Sequence, residues 1–284
     1  MEWRGRRGSG NIEDRRGMGG GAVRIGGIGG FGAILILVVG WLLGVDLTPL
    51  INGGDMGPAP QGQQREISEA DREAGNFVSV VLAGTEEVWT DVFREQLGET
   101  YRPPVLVLYS GVASSPCGGA SGATGPFYCP GDQKVYLDTD FFRVMAQKLG
   151  AGGDFAAAYV VAHEVGHHVQ DELGILGKVN EIRQQSDEVR SNELSVRIEL
   201  QADCLAGIWA RQSQAKYQWL NREDLDEALN AAAQIGDDTL MRNAGRVPMP
   251  ESFTHGTSEQ RQRWFARGWD SGRLDDCNTF QGRI

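Results

Sequence analysis

Twenty-one consecutive residues, from Ile25 to Val45, carry no charge, which is about the length a helix needs to cross a bilayer. The stretch is most apolar from Ala33 to Val45, and Trp41 falls near its far end, where an interfacial aromatic belongs. Its seven glycines would weaken a helix in water but are tolerated in membranes, which argues against a buried core helix. A cleaved signal peptide would want a shorter apolar region followed by a small-residue cleavage site, and none is evident after Val45. The sequence therefore predicts one transmembrane helix over residues 25–45. Arg4, Arg6, Arg7, Arg15, Arg16 and Arg24 precede it, so residues 1–24 are expected as a basic cytoplasmic tail and the chain after Asp46 as exported.

The chain as a whole is acidic. With 27 basic and 38 acidic residues the net charge is −11, which makes nucleic acid a poor partner because phosphate binding needs basic patches. Residues 46–66 are rich in Gly, Pro and Gln and read as a linker, so the folded domain is expected over 67–284. Ser68 can cap a helix running to about Leu97, and Val105–Tyr109 reads as a short buried strand. Residues 110–133 read as a glycine-rich loop and Val135–Leu137 as a second strand. Helices are then expected at about 139–149, 154–174, 187–218, 222–244 and 257–271. Two short strands and five or six helices give an α+β domain that is predominantly helical.

The chemistry starts at His163. Residues His163-Glu164-Val165-Gly166-His167 form an H-E-x-x-H motif inside an apolar helix. Residues four apart share a helix face, so the two imidazoles can aim at one point while Glu164 stands beside it. Two histidines so placed bind Zn²⁺, and the Glu takes a proton from the water that the metal activates. His168 points about 100° away from His167 and reads as a packing or surface residue.

A catalytic zinc wants a third protein ligand and one open position. The extended motif H-E-x-x-H-x-x-G-x-x-H is excluded, because its Gly and last His positions hold Gln170 and Leu173. Residues 194–210 offer another solution: Glu199 and Asp203 stand among Ile198, Leu200, Ala202, Leu205 and Ile208. Carboxylates among apolar neighbours are costly unless paired or metal-bound. Their i, i+4 spacing puts both on one face, Glu199 as zinc ligand and Asp203 accepting the outer N–H of a ligand histidine.

Together the runs HEVGHH, SNELSVRIELQADCLAGIWA and SFTHGTSEQRQRWFARGW resemble the bacterial family of "putative neutral zinc metallopeptidases". The resemblance covers roughly residues 65–284 plus the membrane segment. It implies a zincin-like peptidase domain with a gluzincin-like site: His163, His167 and Glu199 as zinc ligands and Glu164 as catalytic base. It also implies a single-pass protein of the bacterial inner membrane, with a periplasmic or extracellular catalytic domain acting on peptides or proteins.

His255 precedes a helix capped by Thr257 or Ser258 and is a candidate donor to the tetrahedral oxyanion, with capping or packing as the alternative. Tyr136 and Tyr159 are further candidate donors, and the strand around Lys134–Asp138 could offer an open edge to an extended peptide. Of the three ways to pair four cysteines, Cys117–Cys129 with Cys204–Cys277 is favoured, in keeping with an oxidising compartment. The expected activity is hydrolysis of peptide bonds. The competing expectation is a catalytically silent, zinc-containing, membrane-tethered scaffold or binding protein, against which the presence of Glu164 argues.

Overall fold

The first long helix owes its start to a reciprocal cap. Ser68 Oγ accepts from the Asp71 amide while Asp71 Oδ2 accepts from the Ser68 amide, and helix α1 (Glu69–Val92) follows. The structure is a computed structural model that describes residues 1–17, 66–121 and 125–284. Helix α1 buries Phe77, Val81, Leu82, Val88 and Trp89, and continues into a π-helical turn at Phe93–Leu97 that Gly98 ends.

A four-stranded sheet lies against the helices. Its strands are β1 (Ile12–Asp14), β2 (Val105–Tyr109), β5 (Phe127–Cys129) and β6 (Lys134–Asp138), in the order β1-β2-β6-β5. β1 and β2 pair in parallel, as do β2 and β6, whereas β5 runs antiparallel to β6. The period-2 alternation sorts the side chains. Leu106, Leu108, Val135 and Leu137 join the main core, while Val107, Tyr109, Cys129 and Tyr136 form a smaller cluster. β5 covers β6 over residues 134–136, so β6 lies inside the sheet and the edge expected there is taken by the chain's own strand. Residues 110–133 hold more order than a loop: β3 (Val112–Ser115) and β4 (Gly118–Ser121) form a hairpin, and the Cys117–Cys129 disulfide ties it to β5.

The helices are α2 (Asp140–Lys148), α3 (Asp154–Glu172), α4 (Ile175–Gln184), α5 (Glu188–Tyr217), α6 (Arg222–Gln234), α7 (Asp237–Asn243) and α8 (Ser258–Ser271). The domain is thus the predominantly helical α+β fold the sequence predicts. α3 is buried along almost its whole length and packs against α1, α5 and α6. α5 and α8 cross closely, because a Cβ at Gly207 would meet the Phe265 carbonyl and one at Gly268 the Cys204 carbonyl. The second disulfide, Cys204–Cys277, staples α5 to the C-terminal segment, so both expected pairings are present.

Two helical boundaries differ from expectation. Residues 175–184 form α4, and the helix expected over 222–244 breaks at Gly236, where the Asp237 amide donates to the Gly256 carbonyl.

Residues 1–17 lie on the domain: β1 supplies a sheet strand, Glu13 pairs with Lys134 at 2.7 Å, and the Trp3 indole donates to Asp154 at 2.9 Å. The apolar stretch 25–45 and nearly all of the linker 46–66 fall outside the described residues. Among the described residues no helix is long and apolar enough to cross a membrane.

Candidate metal centre

α3 and α5 meet where the sequence places its candidate ligands. His163 and His167, one turn apart on α3, face Glu199 on α5, and the three offer ligand atoms all within 4.8 Å of one another. His163 Nε2 lies 3.1 Å from Glu199 Oε2, and His167 Nε2 lies 3.5 Å from Glu199 Oε1. Around a tetrahedral zinc with bonds of about 2.0–2.2 Å, ligand atoms stand roughly 3.3 Å apart, so both His–Glu separations match that spacing.

The outer ring nitrogens are engaged elsewhere. His163 Nδ1 faces Asp203 Oδ1 at 2.9 Å, and His167 Nδ1 faces Gln170 Oε1 at 2.8 Å. Both rings are thereby held with Nε2 toward the common point. Asp203, with no exposed surface, also accepts from the Tyr159 hydroxyl at 2.5 Å and from Arg261 Nε and Nη2 at 2.9 and 3.0 Å.

The electrostatics favour positive charge at this point. Burial opposes a charged His163, yet the Asp203 and Glu199 carboxylates outweigh it and push its pKa up to about 10. Burial likewise works against Glu199, but His167, His255 and the hydrogen bond from His163 hold its carboxyl well below the usual range. Arg261 and His163 lower the Asp203 carboxyl pKa against its own burial. Glu164 moves the other way, since burial raises its carboxyl pKa more than the nearby histidines lower it.

His255 is held from below by a residue the sequence reading did not single out. Asp237 Oδ2 accepts the backbone amides of Thr254, His255 and Gly256 at 2.8, 2.7 and 3.0 Å, and its Oδ1 lies 3.1 Å from His255 Nδ1. Despite burial, Asp237 and Glu199 raise the imidazole pKa. His168 stands apart from the centre, wedged between Tyr101 and Tyr128 with Nε2 donating to the Arg102 carbonyl at 2.6 Å. Neither tyrosine considered as an oxyanion donor is available for that role. The Tyr159 hydroxyl donates to Asp203, and the Tyr136 hydroxyl donates to Asp132 at 2.7 Å while its ring packs in the smaller cluster.

Asp237, Arg261 and Gln170 are the site-supporting residues that sequence reasoning missed. A signal existed for two of them. Arg261 shares the buried stripe of α8 with Trp264, Phe265 and Gly268, and Asp237 follows a glycine and opens an acidic first turn.

An H-E-x-x-H helix is thus joined by a Glu from a later helix in a mainly helical α+β domain, and the three side chains form a possible metal site. The chain belongs to the family described as "Putative neutral zinc metallopeptidase", whose match runs over residues 1–280. It is 49% identical over 288 residues to the uncharacterized protein YpfJ of Escherichia coli K12, with 99% of each chain covered. It is 41% identical over 218 residues to the uncharacterized protein Mb2605 of Mycobacterium bovis, covering 73% of this chain and 72% of that one. No solved structure matches.

Proposed function

We propose that the protein is a zinc-dependent peptidase that hydrolyses peptide bonds with Glu164 as general base. The observation that carries the reading is the convergence of His163, His167 and Glu199 on one point, with Glu164 on the same helix beside His163. Zinc held there would polarise the substrate carbonyl and let water act as a nucleophile near neutral pH. Glu164, on the same helix beside His163, takes the proton of the attacking water and returns it to the leaving amine. His255, its Nδ1 fixed by Asp237, is the donor that would stabilise the oxyanion.

The substrate class is peptide or protein. Two disulfides support an oxidising compartment outside the cytoplasm, and the uncharged stretch 25–45 supports a bacterial inner-membrane tether. The docking of β1 on the domain bears against one part of that picture, a cytoplasmic N-terminus with the domain across the membrane.

The test is Glu164→Gln in the zinc-loaded full chain, assayed on unfolded protein and a broad peptide library. The variant keeps stoichiometric zinc and loses hydrolysis by ~10²–10⁴-fold, while His255→Ala keeps zinc and loses about 10²–10³-fold. A zinc-loaded wild type that cleaves nothing, with Glu164→Gln as competent in cells as wild type, would leave the catalytically silent scaffold instead.

A further inference from the structure

A chain of hydrogen bonds leads from one metal ligand to a disulfide. His167 Nδ1 faces Gln170 Oε1 at 2.8 Å, and Gln170 Nε2 donates to the Ile198 carbonyl at 2.7 Å and to Gln201 Oε1 at 3.1 Å. Gln201 Nε2 in turn donates to the Cys277 carbonyl at 3.0 Å, and Cys277 is bonded to Cys204 on α5. Gln170 and Gln201 are both buried, so water does not compete for these groups.

The polarity of every link follows from its two ends. A backbone carbonyl only accepts, so the Gln201 amide must turn its nitrogen to Cys277 and its oxygen to Gln170. Gln170 must then present its nitrogen there, and the Ile198 carbonyl demands the same orientation independently. Only its oxygen is left for His167, so His167 Nδ1 carries the proton and Nε2 keeps its lone pair for the metal. A flipped Gln170 would offer N–H to Nδ1 and select the tautomer with a proton on Nε2, which cannot bind a cation.

We infer that Gln170 and Gln201 are positioning residues that fix the tautomer and ring direction of His167, and that the Cys204–Cys277 disulfide sets their register by holding the Cys277 carbonyl. The inference rests on the metal-site reading above and adds a dependence of metal affinity on a disulfide outside the ligand set. Arg197, which donates to the Thr279 carbonyl, holds the C-terminal segment two residues further on. Loss of the disulfide therefore slackens the relay without releasing the segment.

The experiment measures zinc affinity of the full chain by chelator competition and, in the metal-free chain, the ¹⁵N signature of the His167 ring. Gln170→Met is expected to lower zinc affinity by about 10–100-fold and to mix the His167 tautomers. Gln201→Met and the pair Cys204→Ala with Cys277→Ala each lower it less, and together they cost no more than the larger of the two alone. The pair Cys117→Ala with Cys129→Ala, on the hairpin, leaves affinity unchanged. The inference is overturned if Gln170→Met or, should that variant not fold, Gln201→Met keeps both the wild-type affinity and the single tautomer. It is also overturned if the Gln201 and Cys204–Cys277 losses simply add, since they would then act by separate routes. A wild type that binds no zinc at all would sink the peptidase reading instead, while the ring signature would still decide the relay.

Discussion

Asp203 is wholly buried and shares its two oxygens among His163, Tyr159 and Arg261. Arg261 is buried as well, so each charge depends on the other. Arg261→Met should leave an uncompensated carboxylate and cost the metal-free chain about 3–5 kcal/mol, read from urea unfolding. Adding Asp203→Leu should recover part of that loss, because an apolar pair replaces a broken ionic one, yet zinc affinity should stay down by roughly 10–100-fold. A double variant as unstable as the sum of its singles would show that the two are not coupled. Asp203 and Glu199 were legible in the sequence because acids among Ile198, Leu200, Ala202 and Leu205 stand out. Arg261 left a fainter mark, its place on the stripe of Trp264, Phe265 and Gly268, and the exposed Arg263 and Arg267 further along the helix obscure it. Gln170 and Gln201 carry no charge and leave no comparable mark, so their connection appears only when α3 and α5 are side by side.

Helices with clear start signals and long apolar faces are the elements the sequence reveals. α1, α5 and α8 begin at the caps Ser68, Asp187 and Thr257, and α3 is apolar enough to be recognised without one. α4 escapes because it is short and carries Gly177 within it, and the break at Gly236 escapes because apolar spacing continues across it. The strands between residues 110 and 133 escape for different reasons: the glycines and serines of β3 and β4 lack strand propensity, and β5, Phe-Tyr-Cys, is too short to show an alternation. The crossing of α5 and α8 depends on residues with no side chain. Gly268→Ala would drive a Cβ into the Cys204 carbonyl, a rigid neighbour, and should destabilise the domain by about 1–3 kcal/mol or more. Because Asp203 and Arg261 sit on the two helices being pushed apart, zinc affinity should fall with it. Unchanged thermal unfolding and zinc affinity in that variant would contradict the close crossing.

At the scale of the whole molecule two physical rules disagree about the N-terminus. Arginines before an uncharged stretch place residues 1–24 in the cytoplasm and the domain outside. Strand β1, however, is hydrogen-bonded into the domain's sheet, and a Cβ on Gly17 would come within 4.0 Å of Ile67, where the domain chain resumes. A chain that crossed a bilayer once between residues 17 and 66 could not have both ends on one domain. To return, the polar linker would have to pass back through hydrocarbon, where its backbone groups would find no partners. Docking of β1 and a single crossing therefore exclude each other, and the sequence could not reveal the conflict because a three-residue strand in a run of charges has no strand signature. Thiol labelling decides between them, since all four native cysteines are in disulfides. Gly10→Cys points into open space next to β1, and Val247→Cys replaces a side chain that is 81% exposed on the domain. With β1 docked, a membrane-impermeant maleimide applied to intact cells stripped of their outer barrier should label both single variants or neither. Labelling of Val247→Cys alone would mean that β1 leaves the sheet when the chain enters a membrane, and that the charge rule governs the protein in its cell.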